Sequence, residues 1–222
     1  MLKDLGLMGE YIDQARHAGC GAVVISVDAP LGCAMCTTTA TEPVAFPIKS
    51  LPLLPSRKLL PYNSLDEYYN KYIAPTTWLE VEQVIRATEL PVILKGIMHP
   101  EDAHRALNAG AQGIIISNHG GRQLDGAVST LSALTLVPEL VRDSLKIYLD
   151  GGVRSGSDVF KALALGADAV LVGRPVLYAL AAEGQQGVES LFRDLGEELR
   201  LTMQLCGAPS VQNITSDMLL QV

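Results

Sequence analysis

Short apolar runs rich in β-branched residues alternate along this chain with longer amphipathic stretches. The runs span 22–27, 92–95, 113–116, 146–149 and 169–172. Because they are apolar on both faces, they predict parallel strands that are covered by helices. Helices are predicted over 8–18, 77–88, 99–110, 130–142 and 156–165, followed by a helix or a pair of helices over about 175–205. Such alternation indicates parallel βα units.

Two α/β architectures fit this pattern, a doubly wound sheet and a (β/α)8 barrel of the TIM type. A polar residue or glycine stands at the end of each strand, namely Asp28, Lys95, Ser117, Asp150 and Gly173. This favours the barrel, in which active sites lie at the carboxyl ends of the strands. The pattern supplies five strands, whereas a closed barrel has eight. We therefore expect a single, truncated domain over 1–222, whose open sheet edges favour a homo-oligomer or association with another piece.

The segment 31–75 interrupts the alternation. It is rich in Pro, Thr, Ser and Tyr and has no clear period. A loop of this length in a compact domain is usually functional or disordered, so a lid over the active face and a mobile stretch both stay open. The segment contains Cys33 and Cys36 in a C-x-x-C arrangement, without the second pair or the spaced histidines that a zinc site requires. We interpret these as reduced thiols and expect no metal.

Composition and charge exclude several classes of protein. Of the 222 residues, 48% are hydrophobic and 18% are charged, which argues against intrinsic disorder. A net charge of −7 lacks the basic surface that nonspecific nucleic-acid binding needs. No apolar stretch reaches the ~18 residues of a membrane span, and no signal-peptide core or peroxisomal address is found. We therefore expect a cytoplasmic protein without nucleic-acid or membrane partners.

The segment that carries the clearest chemistry runs from Ser117 to Asp125, directly after the run over 113–116. It reads Ser-Asn-His-Gly-Gly-Arg-Gln-Leu-Asp, and it places His119 three residues before Arg122. Histidine suits general base catalysis near neutral pH, and arginine binds carboxylates in a bidentate manner. The two glycines between them allow the backbone to approach a flat ligand closely. A Gly-rich surface turn with a solvated arginine is the structural alternative.

This segment resembles the signature of the FMN-dependent α-hydroxy-acid oxidases and dehydrogenases, a family that includes glycolate oxidase, lactate oxidase, mandelate dehydrogenase and flavocytochrome b2. Four further segments resemble the family in the same order, at 27–30, 94–96, 150–156 and 172–175. The resemblance implies a (β/α)8 barrel, with the strands found here as its strands 4–8, and FMN as the cofactor. It also implies oxidation of a small L-2-hydroxy acid, similar to lactate or glycolate, to the 2-oxo acid.

The resemblance also implies roles for individual residues. His119 corresponds to the base that takes a proton from the substrate, and Arg122 to the arginine that binds the substrate carboxylate. Asp28 corresponds to the aspartate that orients this histidine, as in a catalytic triad; a turn at the strand end is its structural alternative. Lys95 corresponds to the lysine beside flavin N1 and O2, where its charge stabilises the anionic reduced ring. An ion pair at the barrel rim is the alternative for Lys95.

The remaining candidate residues are contacts to FMN. Ser26 and Ser117 correspond to polar contacts with the pyrimidine edge of the ring, although either hydroxyl could instead be satisfied at its own strand end. Loops after the last two strands of a barrel, ahead of helix N-termini, form anion sites. The implied ribityl and phosphate site there consists of Asp150, Gly151, Gly152, Arg154, Gly173 and Arg174.

Two departures from the family leave alternatives open. The family has a second substrate-facing arginine shortly after the aspartate that Asp28 matches, but 31–36 contain none and the next arginine is Arg57. The first three strands of the family barrel, with their flavin contacts, have no counterpart here. A pseudoenzyme or subunit fragment that retains only FMN or phosphate binding therefore stays open. So does a phosphate-binding barrel enzyme of another kind, with Lys95 as a Schiff-base nucleophile.

Overall fold

The five apolar runs form one parallel sheet in which each strand lies beside the next strand of the chain. In this computed structural model, residues 5–28 and 76–220 are described. The predicted 31–75 loop lies outside the described residues, together with Cys33, Cys36 and Arg57. The strands are β1 (Val23–Ser26), β2 (Val92–Ile97), β3 (Gly113–Ile116), β4 (Lys146–Leu149) and β5 (Ala169–Val170), in the spatial order β1-β2-β3-β4-β5.

This strand order distinguishes between the two predicted architectures. A doubly wound sheet reverses its strand order at a switch point, whereas the order here follows the sequence throughout. All four pairs of neighbouring strands are parallel. Sequential parallel strands with helices between them are the arrangement of a (β/α)8 barrel. The described sheet is therefore a five-stranded part of a TIM-barrel-type fold.

Helices connect the strands and cover the sheet. They are α1 (Leu5–His17), α2 (Trp78–Arg86), α3 (Pro100–Ala109), α4 (Thr130–Thr135), α5 (Glu139–Ser144), α6 (Gly156–Ala164) and α7 (Arg174–Cys206). Short 3-10 turns span His119–Gly121, Val211–Asn213 and Ser216–Met218. Helix α2 follows the predicted capping residue, Thr77, whose N–H donates to the Glu80 carboxylate at 2.8 Å. Within 5–28 and 76–220, no helix is both long and apolar enough to cross a membrane.

The structure corrects one predicted helix and one predicted strand, and it decides an alternative for the last helical stretch. The single helix predicted over 130–142 is wrong, because Pro138 has no N–H with which to continue α4 and instead precedes the first turn of α5. Of the two alternatives for the last helical stretch, the structure favours a pair, because the backbone leaves helical geometry at Glu183 and Gly184. Strand β5 is also shorter than predicted and ends at Val170.

The core lies between the sheet and its helices and fixes the carboxyl ends of the strands. All four residues of β3 are buried, and Leu94, Ile114 and Ile147 on three neighbouring strands are at most 1% exposed. Burial of each such side chain contributes roughly 1.5–3 kcal/mol. A second cluster, which includes Phe160 and Ile214, joins α6 to the segment after α7. The strand ends are therefore a rigid platform for the polar residues that follow them.

Candidate active site

Three polar side chains form a row across the carboxyl ends of β2, β3 and β4. Lys95 Nζ lies 2.8 Å from Asp150 Oδ2 and donates a 2.8 Å hydrogen bond to Ser117 Oγ. The Lys95 and Asp150 side chains are only 18% and 16% exposed, and Ser117 is fully buried. Low exposure strengthens the attraction between the two charges, so each side chain is held in one orientation. The predicted contacts of these residues with a flavin stay predictions.

A fourth polar group, Asp28, follows β1 and contacts His119 in the turn after β3. The two carboxylate oxygens lie 3.0 and 2.9 Å from His119 Nδ1. A carboxylate only accepts hydrogen bonds, so Nδ1 donates, and Nε2 is the nitrogen that can accept a proton. Gly96, at a register shift in β2, provides the space for Asp28, because a Cβ at Gly96 would lie 2.5 Å from Asp28 Cγ. The structure thus joins the two residues that the sequence predicted as a pair.

The turn that carries His119 has a left-handed backbone. The φ angle is +56° at His119, +68° at Gly120 and +73° at Gly121. Among the described residues, His119 is the one non-glycine residue with a positive φ, a conformation that costs an L-residue about 1–2 kcal/mol. The His119 N–H donates to Ser117 Oγ at 3.1 Å, and Gly121 N–H donates to Asn118 Oδ1 at 3.2 Å. These two bonds hold the turn in its strained conformation.

The strand-end residues line an open cavity of about 480 Å³. A cavity of this volume is typical of cofactor and small-molecule sites. Three predicted site residues do not line this cavity, namely Ser26, Ser117 and Asp28. Ser26 is exposed on β1. Ser117 bonds to Lys95, and Asp28 bonds to His119, so each contacts a residue that does line the cavity. The predicted site residues that line the cavity are Lys95, His119, Arg122, Asp150, Gly151, Gly152, Arg154, Gly173 and Arg174.

One wall of the cavity is the N-terminus of α7. Gly173 precedes this helix and provides no side-chain cap. N–H groups at a helix N-terminus bind anions, and the guanidinium groups of Arg154 and Arg174 line the same cavity. Arg174 Nη2 also donates to the Gly120 carbonyl at 3.2 Å. Arg174 thus lines the wall that suits an anion and also contacts the turn that carries His119.

The neighbouring N-terminus, that of α6, is already occupied by carboxylates. Gly156 N–H donates to Glu198 Oε2 at 2.7 Å, and Asp158 accepts from Arg154 N–H and Ser155 N–H at 3.1 Å each. Burial favours the neutral form of Asp158, but the hydrogen bonds outweigh it and lower the pKa of this carboxyl group. An anionic ligand is therefore disfavoured at α6 and favoured at α7.

These features fit a ligand with a flat polar ring and an anionic tail, as FMN has. Lys95 supplies a cation at the strand ends, and the α7 N-terminus supplies an anion site on another wall. Among the described residues, apart from the chain neighbours of each glycine, no atom lies within 4 Å of a Cβ built at Gly152 or Gly173. The backbone there therefore borders open space. Gly151 is different, because a Cβ would lie 3.0 Å from Asn118 Oδ1.

Comparison with known families agrees with this chemistry. A family model described as FMN-dependent dehydrogenase matches residues 1–221. The chain belongs to the FMN-dependent dehydrogenase family. The resemblance drawn from the sequence motifs is therefore confirmed, and FMN is the cofactor of this family. The roles of individual site residues stay predictions.

Relatives of this family member include oxidases of 2-hydroxy acids. The chain is 44% identical over 207 residues to 4-hydroxymandelate oxidase from Amycolatopsis orientalis, covering 91% of this chain and 58% of the relative. It is 42% identical over 219 residues to glycolate oxidase 1 from Oryza sativa subsp. indica, covering 96% and 59%. A mandelate oxidase structure with (S)-4-hydroxymandelic acid matches with a TM-score of 0.79 and 42% identity, over 97% of this chain and 62% of that one. The chain thus spans about three fifths of their length.

Three residues that shape the site were missing from the sequence-based candidates. Gly96 makes room for Asp28, Asn118 holds the turn with His119, and the Thr130 hydroxyl donates to the Gly151 carbonyl at 2.9 Å. Gly96 and Asn118 lie inside motifs that resemble the family, so their positions were a usable signal. Thr130 lies outside these motifs, and only the fold brings it to Gly151.

Proposed function

We propose that this member of the FMN-dependent dehydrogenase family oxidises a small L-2-hydroxy acid, of the lactate or glycolate kind, to the 2-oxo acid. The observation that carries the proposal is the contact of Asp28 with His119 at a cavity that Arg122 and Lys95 also line. The relatives support the reaction class, because 4-hydroxymandelate, L-lactate and glycolate in their names are all 2-hydroxy acids.

In this proposal His119 is the base of the reaction. Oxidation of a 2-hydroxy acid removes two electrons and two protons. His119 Nε2 takes one of these protons, and the other would leave with the electron pair to the acceptor that FMN would supply. The Asp28 carboxylate fixes the Nδ1–H tautomer and stabilises the imidazolium that forms, with Nδ1 only 2.9 Å from Asp28 Oδ2. A positioned base of this kind contributes about 10²–10⁴-fold to the rate.

Arg122 is proposed to bind the substrate carboxylate. Its side chain lines the same cavity as His119 and follows it by three residues in the turn after β3. Bidentate binding by a planar guanidinium fixes both the position and the rotation of a carboxylate. The α-carbon next to that carboxylate is thereby held close to the proposed base.

The residues that would hold FMN lie on the remaining walls. We assign the ring end to Lys95 and the phosphate end to Arg154, Arg174 and the N-terminus of α7. FMN, when bound, supplies the acceptor for the two electrons that leave the substrate. Lys95 lies between Asp150 and Ser117, which keep its ammonium group at a fixed place beside the cavity.

The test is carried out on the purified chain with added FMN. Uptake of FMN is measured by quenching of flavin fluorescence, and L-lactate, glycolate or (S)-mandelate is then added without oxygen to bleach the flavin absorbance. We expect bleaching by at least one of these acids. His119→Ala should slow it by about 10²–10⁴-fold while FMN uptake is retained, and Arg122→Lys should raise the substrate concentration needed for half-maximal bleaching.

A matched control uses another histidine. His17 is exposed near the end of α1, where its Nδ1 contacts the Asp13 carbonyl, and His17→Ala should leave both FMN uptake and bleaching unchanged. A chain that takes up no FMN contradicts the proposal. Loss of FMN uptake in both site variants would instead assign His119 and Arg122 structural roles.

A second candidate function is binding without turnover, as a pseudoenzyme or subunit fragment that retains only the FMN or phosphate site. It stays open because 31–36 contain no counterpart of the second substrate-facing arginine that the resemblance implies. FMN uptake without bleaching by any of the acids would favour this candidate. Family membership argues against the Schiff-base alternative for Lys95.

Association through the edges of the sheet also stays a proposal. Within the described ranges, β1 and β5 each pair with a single neighbouring strand, and an unpaired strand edge can bind another chain. Sedimentation over a range of concentrations would show an assembly if this is correct, and a compact monomer would contradict it. A cytoplasmic location likewise stays a prediction; "peroxisomal" appears in the name of an Arabidopsis thaliana relative.

A further inference from the structure

Among the described residues, the buried polar side chains are Ser117 and Thr130. Ser117 is explained by the proposed site, because its hydroxyl accepts hydrogen bonds from Lys95 Nζ and from the N–H of His119. Thr130 has no such explanation. It is 3% exposed, and its hydroxyl donates to the Gly151 carbonyl across 21 residues of sequence. A buried hydroxyl is retained at little cost only when it is hydrogen-bonded.

The acceptor of this bond belongs to the turn that borders the cavity. Gly151 has a φ of +91° and Gly152 a φ of +85°, and both line the cavity. Gly151 is also tightly enclosed: a Cβ there would lie 3.0 Å from Asn118 Oδ1 and 3.3 Å from Thr130 Oγ1. Gly152 faces open space instead. One side of the turn is therefore clamped, and the other side is left for a ligand.

Both side chains of the clamp come from the loop that carries the proposed base. Asn118 precedes His119, and Thr130 is the first residue of α4, at the far end of the loop. Asn118 Nδ2 donates to the Val128 carbonyl at 3.2 Å, which joins the two ends of the loop. Both ends of the loop over 118–130 therefore lie beside Gly151.

We propose that Thr130 is a positioning residue of the cofactor site, which holds the Gly151–Gly152 turn in the backbone conformation that binds FMN. The assignment of FMN to this cavity rests on the proposed function above. Thr130 does not line the cavity and acts through the Gly151 carbonyl. Replacement of its hydroxyl by a methyl group removes the donor from that partly buried carbonyl and frees the turn to change conformation.

The test compares Thr130→Val with Thr130→Ser and Thr135→Val. The first variant preserves shape and removes the hydroxyl, and the second retains it. Thr135 lies on the same helix but is exposed, and its hydroxyl donates to the Ser132 carbonyl within α4. Thr130→Val should raise the Kd for FMN about tenfold, as expected when a partly buried acceptor loses its donor. Thr130→Ser should keep the Kd for FMN within about twofold of that of the unmodified chain, and Thr135→Val should leave this Kd unchanged.

A second measurement does not depend on FMN. Hydrogen exchange of the peptide covering 150–154 is followed in the chain without cofactor, after far-UV circular dichroism has shown that each variant is folded. Thr130→Val should speed exchange in this peptide, whereas Thr135→Val should not. Equal exchange in the two variants would overturn the proposal, as would an unchanged Kd for FMN in Thr130→Val. If the unmodified chain takes up no FMN, the proposed function fails, and the exchange measurement still decides the role of Thr130.

Discussion

Two lysine–aspartate pairs lie at opposite ends of the strands, one at the carboxyl ends (the carboxyl edge) and one at the amino ends (the amino edge). The two pairs differ in their surroundings rather than in the distance between their charged atoms. Lys95 and Asp150 are 2.8 Å apart at the carboxyl edge, and Lys146 and Asp168 are 2.8 Å apart at the amino edge. The Lys95 side chain is 18% exposed and borders the cavity, whereas the Lys146 side chain is 67% exposed. Distance alone therefore does not distinguish a site residue from a structural one.

The contacts around the two pairs differ between the amino edge and the carboxyl edge. At the amino edge, Asp168 also accepts from the Ile147 N–H at 2.8 Å, so the pair joins the starts of β4 and β5. The half-buried Arg142 donates to the carbonyls of Leu134, Val137 and Leu165 near the ends of two helices. At the carboxyl edge, polar side chains bond to one another and border open space. The contacts at the amino edge thus serve stability, and those at the carboxyl edge fit the proposed binding site, as is usual for barrels of this type.

The largest expected effect tests the two pairs directly. Lys95→Met should lower the free energy of unfolding by about 3 kcal/mol, because it leaves the Asp150 carboxylate poorly hydrated and without its cation. It should also weaken FMN binding. Lys146→Met should change either quantity only slightly, because exposed ion pairs contribute little. Urea unfolding and flavin fluorescence measure the two effects, and equal losses in the two variants would contradict the comparison.

Arg142 tests whether the amino edge serves stability alone. Burial lowers the pKa of this guanidinium, and its partners are backbone carbonyls, with Leu165 O at 2.7 Å. Arg142→Met should lower the free energy of unfolding by about 2 kcal/mol, because buried carbonyls lose a charged donor, while the Kd for FMN stays the same. Arg86→Met, which breaks an exposed pair with Glu82 on α2, is the control. A change in FMN affinity of the folded Arg142 variant would show that the two edges are coupled.

Two glycines with left-handed backbones sharpen the comparison further. Gly96 has a φ of +106° and lies against Asp28. Gly110 has a φ of +90°, and within the described part of the chain a Cβ there would meet only Ile85 Cγ2, at 3.6 Å. Alanine carries the left-handed penalty at both positions, but at Gly96 it also displaces Asp28 from His119. Gly96→Ala should therefore cost about 1 kcal/mol more than Gly110→Ala in urea unfolding. It alone should slow flavin bleaching, and equal bleaching by both variants would remove Gly96 from the site.

The smallest expected effect is a difference in pH dependence. The folded-state pKa of Asp158 is lowered, so its stabilising contribution is present above the usual aspartate pKa and is lost as the pH falls through the lowered value. Hydrogen bonding to Asp168 raises the pKa of Lys146, so that contribution is present below the usual lysine pKa and is lost as the pH rises through the raised value. Melting temperatures at acid pH should fall less in Asp158→Asn than in the unmodified chain. Identical acid profiles would contradict this assignment.

Much of the fold could be predicted because the local signals agree with the tertiary structure. The run over 113–116 is apolar on both faces, and β3 has these bounds and is buried at every position. The error over 130–142 came from following apolar periodicity through Pro138, although the missing N–H of proline indicates a helix boundary. Where a proline interrupts an apolar period, the proline therefore determines the helix boundary.

The members of the site were predicted, but of its contacts only the one between Asp28 and His119 was predicted with both partners. The motifs identified Lys95 and Asp150 as separate cofactor ligands, yet the structure pairs them with each other. That contact depends on β2 and β4 both lying beside β3, which a linear pattern does not encode. Thr130 was missed for the same reason, because its bond to Gly151 joins two loops through the packing of α4.

The left-handed backbone at His119 has an evolutionary consequence. Glycine or asparagine at this position would relieve the unfavourable φ of +56°. Substitutions that stabilise the fold at this position therefore remove the imidazole. A lineage no longer selected for turnover could accept such a replacement with a gain in folding. Folding alone therefore does not favour histidine at this position, and the proposed role as a base would account for it.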